Sequence, residues 1–209
     1  MALFGAQVEY ALHTLVNLCL AAPHEPPSAR DLADFQRLPL AYVRKLLTQL
    51  EKAGIVRATE GLRGGWQLAA GAQALTVLQV ADAVQRREPL FVCRDVREQC
   101  ALWSGQEAPA AARRGVCSIH AVMLAAEQAM RHELAAHTLA DLAGRVRGKV
   151  SEGGHREIVR WFGERALARS TSSRSKRGPD APRLGGRQRA RAKRARCGPR
   201  TPAHRGSRR

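Results

Sequence analysis

The chain has 209 residues, 44% of them hydrophobic and only 4% aromatic, which allows one or two small domains with cores of Leu, Val and Ala. The absence of an eighteen-residue apolar run excludes a membrane-spanning helix, and the lack of a basic-then-apolar leader predicts a cytoplasmic protein. The net charge of +17 says little about the folded part, because residues 165–209 carry 16 Lys or Arg against one acid while residues 1–164 carry 19 against 17.

Val8, Ala11, Leu12, Leu15, Leu18 and Cys19 predict a helix over residues 6–21, with Glu9, His13 and Asn17 four apart on another face. Pro23, Pro26 and Pro27 end it. Ser28, with Asp31 three residues on, caps a second helix running to about Gln36. Pro39 opens a third, which continues to Ala53 and stops at Gly54. There Leu40, Val43, Leu46, Leu47 and Leu50 form a buried stripe, and Ala41, Arg44, Lys45, Thr48 and Lys52 the opposite one. Two short helices with a tight turn, the second presenting small and basic residues, describe a helix-turn-helix or else a helical hairpin with a charged face. The β-prone runs Ile55–Thr59 and Trp66–Leu68, flanking turn residues 60–65, add a hairpin and make the pattern a winged helix. The expected DNA-contact set is Ser28, Ala41, Tyr42, Arg44, Lys45, Gln49, Arg63, Gly64 and Gly65, with Arg63 and the two glycine amides aimed at phosphate or a minor groove.

Thr76 begins a fourth helix to about Arg87, with Val77, Val80, Ala81 and Val84 inward. Beyond it come Cys93, Cys100, Cys117 and His120, separated by six, sixteen and two residues. Thiolate and imidazole suit iron–sulfur clusters and zinc, and no zinc pattern of two close Cys pairs fits; unpaired half-buried cysteines are the alternative. Ser118 starts a long helix to about His137, striped by Ile119, Val122, Met123, Ala126, Met130 and Leu134. A second copy of the chain is the economical cover for that stripe, and packing back on its own domain is the alternative. Thr138 caps a last short helix through Val146. One further helical segment, Ile158 to Leu167, precedes Ser, Gly, Pro and Arg with almost no apolar residues, a composition that predicts disorder and non-specific phosphate contacts. No role is assigned to Cys197.

The expected fold is mainly α: a winged helix-turn-helix DNA-binding domain at 1–88, a cysteine-bearing cluster loop at 89–117, a dimerisation helix and short last helix at 118–148, and an Arg-rich tail at 149–209. With no Gly-rich phosphate loop and no nucleophile–base constellation, neither an enzyme nor a small-molecule substrate is expected.

The chain resembles the Rrf-type winged-helix transcriptional regulators, the group of IscR- and NsrR-like iron–sulfur regulators, over roughly residues 3–146. The resemblance rests on Glu9-Tyr10-Ala11-Leu12, Tyr42-Val43-Arg44-Lys45-Leu46-Leu47, Lys52-Ala53-Gly54-Ile55-Val56, Gly61-Leu62-Arg63-Gly64-Gly65-Trp66-Gln67-Leu68, the three cysteines and Thr138-Leu139-Ala140-Asp141-Leu142. It implies a homodimer, usually a repressor, on a double-stranded DNA operator, whose iron–sulfur cluster, [2Fe-2S] or else [4Fe-4S], alters DNA affinity by its redox state, nitrosylation or loss. Two ligand sets follow from it. One is Cys93, Cys100, Cys117 and His120. The other, matching a redox-sensing branch, is Glu9, His13, Cys93 and Cys117, in which the family's helix-one carboxylate approaches from the partner subunit. The sequence departs from the family in its long Cys100–Cys117 loop, in Glu60 and Arg63 at the wing, and in the Arg-rich tail. A thiol-based regulator of the same fold, without a cluster, is the alternative.

Overall fold

The computed structural model describes residues 3–21, 26–61 and 64–176; Pro23, Arg63, Cys197 and the rest of the tail beyond Lys176 lie outside the described residues. Helix α1 (Ala6–Leu20) is the central post. Its buried face is wider than the expected stripe: Ala11, Thr14 and Leu15 are fully enclosed, and Asn17, expected outward, is 9% exposed. Thr14 exchanges hydrogen bonds with Gln36 at 3.1 and 3.3 Å, which satisfies a buried hydroxyl and ties α1 to α2 (Ala29–Gln36).

Helix α2 forms where its cap predicts, and α3 starts directly after Pro39 without a side-chain cap. Ser28 and Asp31 make a reciprocal capping box that satisfies two N–H groups at the start of α2. Arg37, in the left-handed region at φ 54°, ends α2 and turns the chain into α3 (Leu40–Lys52). Val43, Leu46, Leu47 and Leu50 of α3 are buried against α1, α2 and α4 (Val77–Val84), whereas Leu40 is only half-buried.

The chain next makes an antiparallel pair, β1 (Val56–Thr59) and β2 (Gly65–Leu68), in register Val56 with Leu68 and Thr59 with Gly65. Thr76 and Thr138 both cap helices, α4 and α7 (Leu139–Lys149), with the same box geometry. Their strands of cap pair with each other: Val77 N–H donates to His137 O at 2.8 Å and Leu139 N–H to Leu75 O at 2.9 Å. This clips α7 onto the winged helix, where Leu139 is fully buried.

Between α4 and α7 lie short turns, the single turn α5 (Ala110–Arg113) and α6 (Ser118–Ala135). Helix α6 packs along one edge on α4, held by Arg131 on Asp82 at 2.7 and 3.3 Å, and its Glu127 also takes the Leu90 N–H. None of its eighteen residues is buried.

A long helix α8 (Glu152–Lys176) corrects the expected boundary of the tail at 149. The segment is not a short helical stretch leading into tail: Phe162 and Ala166 are at most 1% exposed and belong to the core. Phe35 of α2 supplies the reason. Its ring lies 5.0 Å from Trp161 and 4.9 Å from Phe162, and those two rings meet edge-on at 5.0 Å.

Candidate functional site

Two surfaces carry the residues singled out by the sequence. On α3, Ala41, Arg44, Lys45 and Thr48 are exposed along one face, as the stripe predicts, and Gln49 is half-buried. Tyr42 is turned partly inward, its ring edge-on to Tyr10 of α1 at 5.6 Å. Ser28 spends its hydroxyl on capping, bonded to the Asp31 carboxylate at 2.8 Å.

Gly64 and Gly65 differ from expectation. The Gly64 amide donates to Gly61 O at 2.9 Å and the Gly65 amide to Thr59 Oγ1 at 2.9 Å, so both are used inside the hairpin rather than left for phosphate. Both glycines are there for closeness: a Cβ at Gly64 would collide with Thr59 O, and one at Gly65 with the carbonyls of Pro26 and Pro27. Trp66 N–H donates to Pro27 O at 2.8 Å, so the wing strand is seated directly on the turn that precedes α2.

The second surface is the cysteine segment. Cys93, Cys100 and Cys117, distant in sequence, line one cavity of about 470 Å³ walled by Phe91, Val92, Val96 and Ile119. All three thiols are free and half-buried. Cys117 sits at the N-cap of α6, and the backbone N–H groups of His120 and Ile119 hold its thiol below the ordinary value, with the Arg97 guanidinium and Cys93 assisting. Cys93 Sγ accepts from Asp95 N–H at 3.4 Å.

Arg97 organises this segment, and no sequence pattern singles it out. It pairs with Asp95 at 2.7 Å and donates to Gly115 O at 2.9 Å, joining the Cys93 turn to the residues before Cys117. The indole N–H of Trp103 in turn caps the Arg97 carbonyl at 3.1 Å. By contrast, the fifth cysteine in chain order is beyond the described residues, and the first, Cys19, has its thiol pushed up by burial, the opposite of Cys117.

Glu9 and His13 are not at this cavity. One turn apart on α1, they line a separate cavity of about 380 Å³ with Leu12, Val16, Leu142 and Arg145. His120 packs its ring 5.9 Å from Phe91. Among the described residues no three His, Cys, Asp or Glu side chains close to metal-holding distance within the chain. Three sulfur donors around an apolar cavity nevertheless fit the soft-ligand chemistry of an iron–sulfur cluster, short of a fourth donor.

Comparison with known proteins gives concordant matches. A family model for Rrf2, described as an iron-dependent transcriptional regulator, matches residues 4–145. The chain is 31% identical over 133 residues to protein rrf2 of Nitratidesulfovibrio vulgaris, covering 64% of this chain and 81% of that protein. It is 35% identical over 78 residues to the HTH-type transcriptional regulator IscR of Cereibacter sphaeroides, covering 36% of this chain and half (50%) of that protein. Its fold is similar to that of CymR, the global cysteine regulator of B. subtilis, with TM-score 0.53 at 22% identity over 69% of this chain and 98% of that one.

Proposed function

The chain belongs to the Rrf2 family of winged-helix, DNA-binding transcriptional regulators, which are not enzymes, and from that premise we propose that it is a homodimer whose grip on an operator is switched at the cysteine cavity. In this reading the exposed face of α3 enters the major groove, with Arg44 and Lys45 contacting bases or phosphate and Ala41 permitting close approach. Arg63 belongs to the same contact set.

The observation that carries the switch is the gathering of Cys93, Cys100 and Cys117 around one apolar cavity at the N-terminus of a helix whose outer face is uncovered. Those thiols would hold an iron–sulfur cluster, [2Fe-2S] in the first instance. The fourth donor is His120 or, from a second copy, Glu9 with His13. When bound, the cluster supplies a one-electron change of charge at a partly dry site. The chain's own residues do the rest. Cys117 anchors the first turn of α6, Arg97 braces the turn around Cys93, and Glu127 of α6 accepts Leu90 N–H at 3.1 Å, three residues before Cys93. Helix α6 is tied through Arg131 and Asp82 to α4, which packs on α3. A shift at the cavity therefore has a continuous packed route to the recognition helix, and a coupling of about 1–3 kcal/mol would alter operator affinity roughly 5–150-fold.

The second copy is argued from α6. Ile119 and Val122 are each 68% exposed on a helix that borders the cysteine cavity, and Val116, just before its N-cap, is 60% exposed. Covering that stripe with its own equivalent would also bring a second α1 within the assembly, which is where a Glu9 or His13 ligand would come from.

Anaerobic purification tests the reading. A coloured protein with about two irons and two sulfides per chain, lost in Cys93→Ala and Cys117→Ala, is the expected result. Cys100→Ala, His120→Ala, Glu9→Ala and His13→Ala then decide between the two ligand sets. A chain that stays colourless when given ferrous iron and sulfide without oxygen overturns it. The three free thiols would in that case favour the cluster-free thiol regulator, responding by oxidation.

A further inference from the structure

Helix α8 lies outside residues 4–145, which the Rrf2 family model matches, so the family match says nothing of its contacts. Apolar groups seat it on α2: Phe162 and Ala166 are enclosed, and Trp161 and Phe162 pack their rings against Phe35. Two arginines of α8 also reach α2, and they do different things. Arg165 Nη1 lies 2.9 Å from Asp34 Oδ2, its guanidinium resting on the Trp161 ring at 4.2 Å to the centroid. Both partners of that pair are partly exposed, where an ion pair contributes little. Arg169, one turn further on, is committed to two groups at once.

Its Nη1 pairs with the Asp31 carboxylate and its Nη2 donates to Pro26 O at 3.0 Å. The Asp31 side chain is only 5% exposed. Its Oδ2 also accepts from the Ser28 N–H and the Ser28 hydroxyl, each at 2.8 Å, in the box that starts α2. A carboxylate so enclosed needs a cation as well as those donors. The Pro26 carbonyl is the second node. It is the atom against which Gly65 is packed, and the next carbonyl, Pro27 O, accepts from Trp66 N–H at 2.8 Å. One planar guanidinium fork therefore joins the cap of α2 to the turn on which β2 of the wing is seated. Arg169 Nε is buried with no hydrogen-bond partner among the described residues, so the two Nη bonds hold the side chain in place while its Nε–H goes unanswered.

We propose that Arg169 is a positioning residue for DNA binding: it fixes the Pro26–Pro27 turn against the start of α2, and through that turn sets the wing relative to the recognition helix α3. A winged helix meets DNA at two places, the helix in the major groove and the wing beside it, so the angle between them decides whether both engage one site. The hairpin has two supports. On one side the chain itself joins it to α3, with Ala69 N–H donating to Ile55 O at 2.9 Å, and on the other it rests on the proline turn. Arg169 braces the second support. Its charge is answered inside the chain by Asp31, so its part is geometric and is not a phosphate contact. The proposal rests on the DNA-binding reading above.

The test compares full-length Arg169→Ala, Arg169→Lys and Arg165→Ala with the wild type, on the duplex recovered from a random-sequence pool with the wild-type protein. Fluorescence anisotropy over a salt series gives the affinity, and residue-resolved hydrogen exchange follows the Trp66 amide. Arg169→Ala, with α8 still seated by its aromatic contacts, is expected to speed Trp66 exchange about tenfold or more and to weaken binding about five- to tenfold. The slope of log K against log salt is expected to stay unchanged. Arg169→Lys restores the charge beside Asp31 but not the fork. It is expected to recover the wild-type melting temperature while keeping the fast exchange and weak binding of Arg169→Ala. Arg165→Ala removes an ion pair that does not reach the turn, and is expected to leave exchange and affinity within about twofold of wild type. Wild-type affinity in Arg169→Lys would mean that charge alone matters and overturns the proposal. So does equal weakening by Arg165→Ala and Arg169→Ala, unchanged Trp66 exchange in Arg169→Ala, or a salt slope that falls there by about one. Should Arg169→Ala fail to fold, Arg169→Lys and Arg165→Ala decide by the same two readings. If the wild type does not prefer the recovered duplex to a scrambled one, the operator reading fails, and the hold of Arg169 on the wing stands or falls by Trp66 exchange alone.

Discussion

The winged helix and helix α6 are built to opposite standards of closure. In the first, Leu15, Leu47, Leu50 and Val80 are wholly enclosed, their neighbours coming from α1, α3 and α4 of the same chain. In the second, an eighteen-residue helix buries nothing and leaves Ile119 and Val122 more exposed than enclosed. The apolar content of the two is similar, so composition does not explain the contrast. The difference lies in what each stripe faces. The stripe of α3 finds α1, α2 and α4 within the chain, and that of α6 finds α4 along one edge while Ile119 and Val122 stay exposed. One region is a finished core and the other leaves part of its apolar stripe open, and the cysteine cavity borders the open one.

Substitutions can break or sharpen that contrast. Leu47→Ala leaves a void in a fully packed site and is expected to cost about 2–5 kcal/mol in urea unfolding. A loss under about 1 kcal/mol would mean that the first core is not closed. Gly65→Ala forces a methyl against the carbonyls of Pro26 and Pro27 and is expected to cost about 1–3 kcal/mol and to loosen the wing, seen as faster hydrogen exchange of the Trp66 amide.

Thr138→Ala removes the side-chain cap of α7, with an expected loss of about 1 kcal/mol near neutral pH. The Asp141 carboxylate in that box is held below its ordinary value of 3.8, chiefly by the Thr138 backbone N–H and hydroxyl. A depressed carboxylate stabilises the fold above its unfolded value and loses that contribution as pH falls through the folded one. The gap between wild type and Thr138→Ala is therefore expected to narrow below about pH 4 in thermal melts, and a gap that widens there contradicts the assignment.

The smallest effect on folding is expected from the pair Ile119→Asp and Val122→Asp, within about 0.5 kcal/mol for the isolated chain. The same pair is expected to turn a sedimenting dimer into a monomer and to make the melting temperature independent of protein concentration. A double variant that remains dimeric would show that α6 is not the interface and would remove the reason for placing Glu9 or His13 at a neighbour's cysteines.

Some of this was legible along the chain because the controlling interactions are local. Ser28, Thr76 and Thr138 cap helices three residues ahead of the group that answers them, and the basic stripe of α3 follows from 3.6-residue periodicity. The cysteines could be named but not gathered: nothing in their spacing shows that Arg97 would draw the Cys93 turn to Gly115. The partners of the wing's glycine amides had no local sign for a related reason, since Thr59, which takes one of them, sits across the hairpin.

Residue types and their periods by themselves determined the helices, their caps, the winged-helix order and the charged face of α3, because those depend on neighbours within one or two turns. Only the tertiary structure decided that Asn17 is inside, that three thiols share one cavity, that α6 keeps its apolar face outward, and that α8 is a packed helix rather than tail. Each of those depends on a partner far away in sequence. Phe35 lies more than a hundred residues before Trp161, and a ring that needs such a neighbour gives no local sign of it.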